Sequence, residues 1–221
     1  AAGFIAPHAN DRSPERRLRI GYVSPDFRAH AVGWFLRPLL AAHDRQSLEV
    51  FCYSNAHRTD DVTVQLRAQA DGWRDLVGQT DRQAAELIRN DRIDILVDLS
   101  LHTANNRLLV LAHKPAPVQA TYLGYPGKSG LDTVDYRITT RHLDPSGEAG
   151  APGPEQPILL PEVYWCYEPV VHPPPAKTPE EPAAARDGTL GCLYRFWQDT
   201  PAALAAWGRT ITPTRSERTS R

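Results

Sequence analysis

The sequence has no methionine, three lysines and three cysteines in 221 residues. Each scarcity excludes something. Cys52, Cys166 and Cys192 are far apart and odd in number, and no CxxC pair occurs. A disulfide framework and a cysteine zinc site therefore find no support. A reducing compartment, the cytoplasm, is the default expectation. No apolar run reaches the ~18–20 residues that span a bilayer, so no membrane partner is expected. Ala1–Arg17 lacks the apolar centre of a signal peptide. The missing methionine predicts a processed chain or a piece of a longer one. Net charge is −1, from 25 Lys+Arg against 26 Asp+Glu. That balance excludes nucleic-acid binding driven by bulk charge. The patterns GxSxG, HExxH and the EF-hand loop are absent, and no GxGxxG follows the first strand. Metal ligands are not clustered, so no metal and no cofactor is expected.

What is present is alternation. Leu18–Ser24 (LRIGYVS) reads as a buried strand ending at a Ser-Pro turn. Val32, Phe35, Leu36, Leu39 and Leu40 then follow at helical spacing. Leu48–Tyr53 reads as a second strand. Leu66, Ala70, Trp73 and Val77 predict a helix, and Ala84, Leu87 and Ile88 another. Ile93–Leu99 (IDILVDL) suits a parallel strand covered on both faces. Leu108–Ala112 reads as helix, Val118–Leu123 as strand, and Tyr136–Thr139 as a further strand. Strands and helices in turn, joined by short connections, define an α/β domain with a doubly wound parallel sheet.

Prolines mark the end of this pattern: ten of the twenty lie between Pro152 and Pro182. The expected organisation is a linker over 1–17, a Rossmann-like lobe over 18–170, a proline-rich linker over 171–187 and a last region over 188–221. In that region Pro201–Trp207 reads as a helix, and the polar stretch Thr210–Arg221 as an unstructured tail.

In doubly wound sheets, ligands bind beyond the carboxyl ends of the strands. Three loops leave such ends: 24–30, 98–103 and 124–130. His30 precedes a helix, whose positive end disfavours imidazolium. A neutral ring there can accept a proton; its plainer reading is a helix cap. His102 follows a buried strand, and Asp98 either orients it or caps the loop. His8, His43, His57, His113, His142 and His172 have no such setting and read as surface residues. Gly127-Lys128-Ser129 is not a nucleotide triphosphate loop, because the first Gly of GxxxxGK[ST] would fall at Tyr122. The glycines of 124–130 still let backbone N–H groups approach a phosphate or a sugar; a purely structural turn fits as well.

Several blocks, in one order, carry a family resemblance. LRIGYVSPDF (18–27) with His30, IDILVDLSLHT (93–103), Asn106-Arg107-Leu108, PAPVQ (115–119), and TYLGYPGKSG (121–130) with Asp135-Tyr136-Arg137 resemble the bacterial O-linked N-acetylglucosamine transferases. The resemblance runs from about Pro14 to Trp207. It implies the first lobe of a two-lobed GT-B glycosyltransferase, with 188–221 as the truncated start of the second lobe, where Gly191-Cys192 and Pro201–Trp207 resemble its entry. It implies inverting transfer of N-acetylglucosamine from UDP-GlcNAc to Ser or Thr hydroxyls of an acceptor protein, without a catalytic metal. Relatives that use other nucleotide sugars, including GDP-fucose, exist in the same family. By position, His30 and His102 are the implied catalytic residues. Asp26, Tyr125, Pro126, Gly127 and Lys128 are the implied substrate-binding residues.

This sequence departs from the family pattern in places. Glycine is usual at Leu101 and at Asn105, and threonine at Lys128. The second lobe, with most nucleotide contacts, and the tetratricopeptide region that presents acceptors are not part of this sequence. The 221 residues alone are accordingly expected to be inactive or weakly active. The competing expectations are a non-catalytic binding or interaction module and a flavodoxin-like domain; the second does not explain the ordered blocks.

Overall fold

The structure, a computed structural model, describes residues 5–144, 154–169 and 200–216, with side chains to residue 209 in the last stretch. The chain divides into two units, Ala1–His172 and Pro173–Arg221. The first unit holds seven strands: β1 (Leu18–Ser24), β2 (Leu48–Ser54), β3 (Gly72–Asp75), β4 (Ile95–Asp98), β5 (Val118–Thr121), β6 (Tyr136–Thr140) and β7 (Gln156–Leu160). They form one sheet in the order β3-β2-β1-β4-β5-β6-β7, and every neighbouring pair is parallel. Between the early strands run α1 (Ala31–Ala42), α2 (Asp61–Gln69), α3 (Asp81–Asn90) and α4 (Leu108–Ala112). The second unit contributes α5 (Pro201–Ser216).

Side chains alternate across a strand, so apolar runs feed both faces. Tyr22, Val50, Cys52 and Val97 face one way and pack with Leu36, Leu40 and Leu66 of α1 and α2. Val23, Phe51, Tyr53 and Leu96 face the other way and pack with Ile88, Val110 and Leu111 of α3 and α4. Each fully buried Leu or Ile contributes roughly 2 kcal/mol. Two capping boxes add to this: Asp60 with Thr63 at α2, and Thr80 with Gln83 at α3. Each is worth about 1 kcal/mol, because it satisfies N–H groups that a helix start leaves unpaired.

Three sequence expectations need correction. The helical spacing over Leu66–Val77 does not give a helix. α2 begins at Asp61 and stops at Gln69, and Trp73 lies on β3. Leu66 and Trp73 pack on one core from two different elements, which imitates a helical period. Gly72 is why β3 fits there: a Cβ would lie 2.4 Å from Phe51 Cδ1. The strand β7 gives no strand signal in the sequence, because Pro157 sits inside it. Proline is tolerated on an edge strand, where one side of the ladder needs no donor. In the second unit, α5 continues to Ser216 over part of the stretch read as tail. Extending an existing helix costs far less than nucleating one.

The proline-rich linker 171–187, residues 188–199 with Cys192, and His172 lie outside the described residues. Of the stretch 1–17, the described part 5–17 has no strand or helix but is tied to the sheet. Arg16 grips both carboxylate oxygens of Asp94 at 2.6 and 2.7 Å. Asn10 Nδ2 donates to Asp94 Oδ1 at 2.7 Å, and His8 Nε2 donates to the Lys114 carbonyl at 2.9 Å. His43 is also no surface residue: it caps α1, stacks on Tyr22 and shares a 2.8 Å hydrogen bond with the Tyr22 hydroxyl. Burial, assisted by Arg45, pushes its pKa down.

Candidate functional site

Strand order reverses between β1 and β4, so the loops after those strands flank a crevice. Because all strands are parallel, the loops 24–30, 98–103 and 124–130 open on the same edge, as the sequence predicts. Two glycines allow these loops to close in. A Cβ on Gly124 would lie 2.1 Å from the Leu99 carbonyl oxygen, and one on Gly33 2.2 Å from the Arg28 carbonyl oxygen.

His30 is the N-cap of α1. Its Nδ1 accepts from the Val32 N–H at 3.3 Å, so in the neutral ring Nε2 carries the proton. Asp26, mostly buried, places Oδ2 3.6 Å from the same Nδ1 and pairs through Oδ1 with Arg28 at 2.9 Å. His30 lines a cavity of about 330 Å³ together with Phe35, Gly124, Pro126 and Trp165.

His102 is exposed and held differently. Its Nε2 donates to the Lys128 carbonyl at 2.8 Å, and its ring meets Tyr125 edge-on at 5.6 Å. That leaves Nδ1 as the lone-pair nitrogen of the neutral ring. Of the two readings of Asp98, the structure selects the cap. Asp98 Oδ2 accepts from the Leu101 and Ser100 N–H groups at 2.6 and 3.2 Å, with no hydrogen bond to His102. Asp98 Oδ1 is buried without a partner among the described residues. Burial pushes the Asp98 carboxyl up to about 6, against the pull of those two N–H groups and of a charged His102.

The departures noted in the sequence fall on special backbone. Leu101 and Asn105 adopt φ of +48° and +59°, the left-handed region that glycine enters freely. Asn tolerates this geometry and Leu does not, at roughly 1–2 kcal/mol. Leu101 offsets the strain by full burial. Gly127 stacks closely on Tyr125.

Three further contributors carry no motif in the sequence. Glu155 accepts from the Ser129 N–H through both carboxylate oxygens and braces the 124–130 loop. Tyr164 accepts from the Leu123 N–H at 2.8 Å, while its carbonyl accepts from the Tyr122 hydroxyl. Trp165 walls the His30 cavity. All three lie within the proline-rich stretch from Pro152 to Pro182. The aromatic cluster VYWCY (163–167) is the signal that could have found two of them. Among the described residues, no group of three or more His, Cys, Asp or Glu is arranged to hold a metal ion, and no helix is long and apolar enough to cross a membrane.

Comparison with known proteins supplies the family. Residues 4–156 match glycosyl transferase family 41. A probable UDP-N-acetylglucosamine–peptide N-acetylglucosaminyltransferase SPINDLY of Solanum lycopersicum is 39% identical over 209 residues, 91% of this chain and 22% of that protein. The SEC protein of Arabidopsis thaliana, described likewise, is 32% identical over 154 residues, 69% of this chain and 16% of that protein. A solved O-GlcNAc transferase mutant from Thermobaculum terrenum superposes with a TM-score of 0.67 at 43% identity, covering 78% of this chain and 33% of that one. This chain thus spans about a fifth of the length of its curated relatives. Its seven-stranded parallel sheet, its ordered loop motifs and its match over 4–156 place the chain in glycosyl transferase family 41.

Proposed function

We propose that this lobe forms the sugar-and-acceptor wall of a glycosyltransferase that moves N-acetylglucosamine from UDP-GlcNAc to a protein Ser or Thr hydroxyl with inversion. The observation that carries the reading is that the loop after β5 holds His102, from the loop after β4, by a hydrogen bond and shares a cavity wall with His30, from the loop after β1. The names of the relatives supply the donor and the acceptor class.

In this reading the hydroxyl oxygen attacks the anomeric carbon as the bond to the diphosphate breaks. The hydroxyl proton passes to His102 Nδ1, the nitrogen left with a lone pair. His30 presents Nε2–H, which suits an oxygen of the sugar or the departing diphosphate. Fixed donors stabilise negative charge as it grows there. Asp26, whose Oδ2 lies 3.6 Å from His30 Nδ1, is a positioning residue that helps hold the ring at the cavity. Backbone around Pro126 and Gly127, with Tyr125 and Lys128, lines the sugar side. A single lobe bounds the reacting centre on one side only, so these 221 residues alone are expected to release UDP at background rate. Nothing in this chemistry needs a membrane, and a cytoplasmic setting fits it.

The test joins these residues to the second lobe of the Thermobaculum terrenum transferase and measures UDP release and glycopeptide formation. His102→Asn is expected to lower turnover ~100-fold, the usual scale for a lost general base. His30→Asn, which keeps a cap and a donor, should retain more activity than His30→Ala. A folded chimera that transfers sugar equally well after the His102→Asn substitution sinks the role of His102. Transfer of a different sugar from a GDP donor replaces the donor assignment and leaves the histidine roles standing.

A further inference from the structure

A second cavity, of about 250 Å³, opens at the same edge and is lined by a different set of residues. It lies where strand order reverses, between the loops after β1, β2 and β4. Asp26, Arg28, Asn55, His57, Arg58 and Asn105 line it. Asn55 is buried at its base, with Nδ2 donating to the Asn105 carbonyl at 3.0 Å. That bond ties the loop after β2 to the loop after β4 and fixes the floor.

The charge around this floor is unequal. Among the described residues Asp26 is the one carboxylate in the lining, and Arg28 already pairs with it. Arg58 and His57 are exposed at the rim, with no hydrogen bond or ion pair to any described residue. At the nearby start of α2 a carboxylate, Asp60, already occupies the helix cap. Asp60 accepts from the Ala29 and Thr63 N–H groups, which hold its pKa down despite the cost of burial. The cavity's attraction for an anion therefore rests on side chains. A guanidinium fork matches the paired oxygens of a carboxylate or a phosphate.

We infer that this switch-point cavity is an oxyanion subsite, with Arg58 as its principal charge and Arg28, His57 and Asn55 as further donors. The inference stands on this cavity and does not depend on glycosyl transfer. Two sources share the chemistry: a diphosphate on a nucleotide ligand, and a carboxylate on a bound polypeptide.

The test titrates the purified 221-residue chain by calorimetry at constant ionic strength, with sodium pyrophosphate in one arm and a short Glu/Asp-rich peptide in the other. Saturable binding of one probe is expected, weakened at least ~10-fold by Arg58→Gln, which is about 1.4 kcal/mol. Arg58 is exposed, so folding is unaffected, and circular dichroism verifies it. Arg82→Gln is the control. Arg82 is an exposed arginine on α3 that pairs with Glu86, and its loss should leave binding unchanged. Pyrophosphate binding assigns the diphosphate source, and peptide binding the carboxylate source. The inference is overturned if neither probe saturates, or if Arg58→Gln and Arg82→Gln behave alike.

Discussion

Asp94 and Asp98 flank the same short strand, four residues apart, and the structure treats them in opposite ways. Asp94 stands at the amino edge of the sheet. It accepts from Arg16, Asn10 and the Arg19 N–H, and its pKa is held down although burial alone would raise it. Asp98 stands at the carboxyl edge. It caps a loop with one oxygen, leaves the other without a partner among the described residues, and is pushed up to about 6. The same division holds along both edges. At the amino edge Lys114 meets Asp135, which also accepts from the Gln119 N–H. At the carboxyl edge lie left-handed Leu101, Asn105 and Leu123 and two cavities, one lined by polar side chains and one mostly apolar around His30. Left-handed backbone occurs at both edges, at Arg92 and Lys114 below as well as above, so it does not separate them; what does is that paired charges fasten the chain below, while the cavities and the Asp98 oxygen without a partner among the described residues lie above.

The comparison breaks most sharply at Gly124. Gly124→Ala drives a Cβ into the Leu99 carbonyl and should cost about 4 kcal/mol in urea denaturation, since backbone must move. A loss below about 1 kcal/mol would show that the upper loops have slack, and the contrast between edges would collapse.

Asp98 gives the next largest effect. Its folded pKa is raised, so the native state holds the proton more tightly than the unfolded chain does. Stability from this group is present at low pH and falls as pH rises from about 4 to about 6, by roughly 3 kcal/mol. Asp98→Asn should flatten that limb of the stability profile. An unchanged profile would show that Asp98 is not the titrating group.

Asp94 has the opposite sign. Its folded pKa is lowered, so its contribution is present above the unfolded value and lost as pH falls through the folded one. Asp94→Ala should cost about 2 kcal/mol at neutral pH in the same urea titration, because the Arg19 N–H and Asn10 lose their acceptor. The smallest effect belongs to Asn105→Gly. Both residues tolerate φ of +59°, so stability should move by less than about 0.5 kcal/mol.

Most of the sheet is readable in the sequence because its strands are buried on both faces, which leaves near-continuous apolar runs such as ILVDL. What misleads is β3, whose four residues include a glycine and whose tryptophan completes a false helical period, and β7, disguised by Pro157. At the site, the left-handed backbone explains why glycine is usual in the family at 101 and 105. The preference for Asp98 as cap over orienting group is not readable, since both uses need an Asp at that distance from His102. Arg58 and His57 carry no motif; they gain meaning only beside Asp26 and Asn105.

Local pattern determined that this chain alternates strand and helix, that its sheet is parallel, and that three motif-bearing loops leave the same ends of their strands. Hydrophobic period and turn chemistry act over a few residues, so one dimension suffices to read them. Tertiary structure decided which nitrogen of each histidine is engaged, which carboxylate is satisfied and which is left poised, and where the cavities open. For His102 and for Asp94 the outcome depends on partners 26 and 84 positions away, Lys128 and Asn10. Only the side-by-side packing of segments that are distant in sequence brings such partners within hydrogen-bond reach.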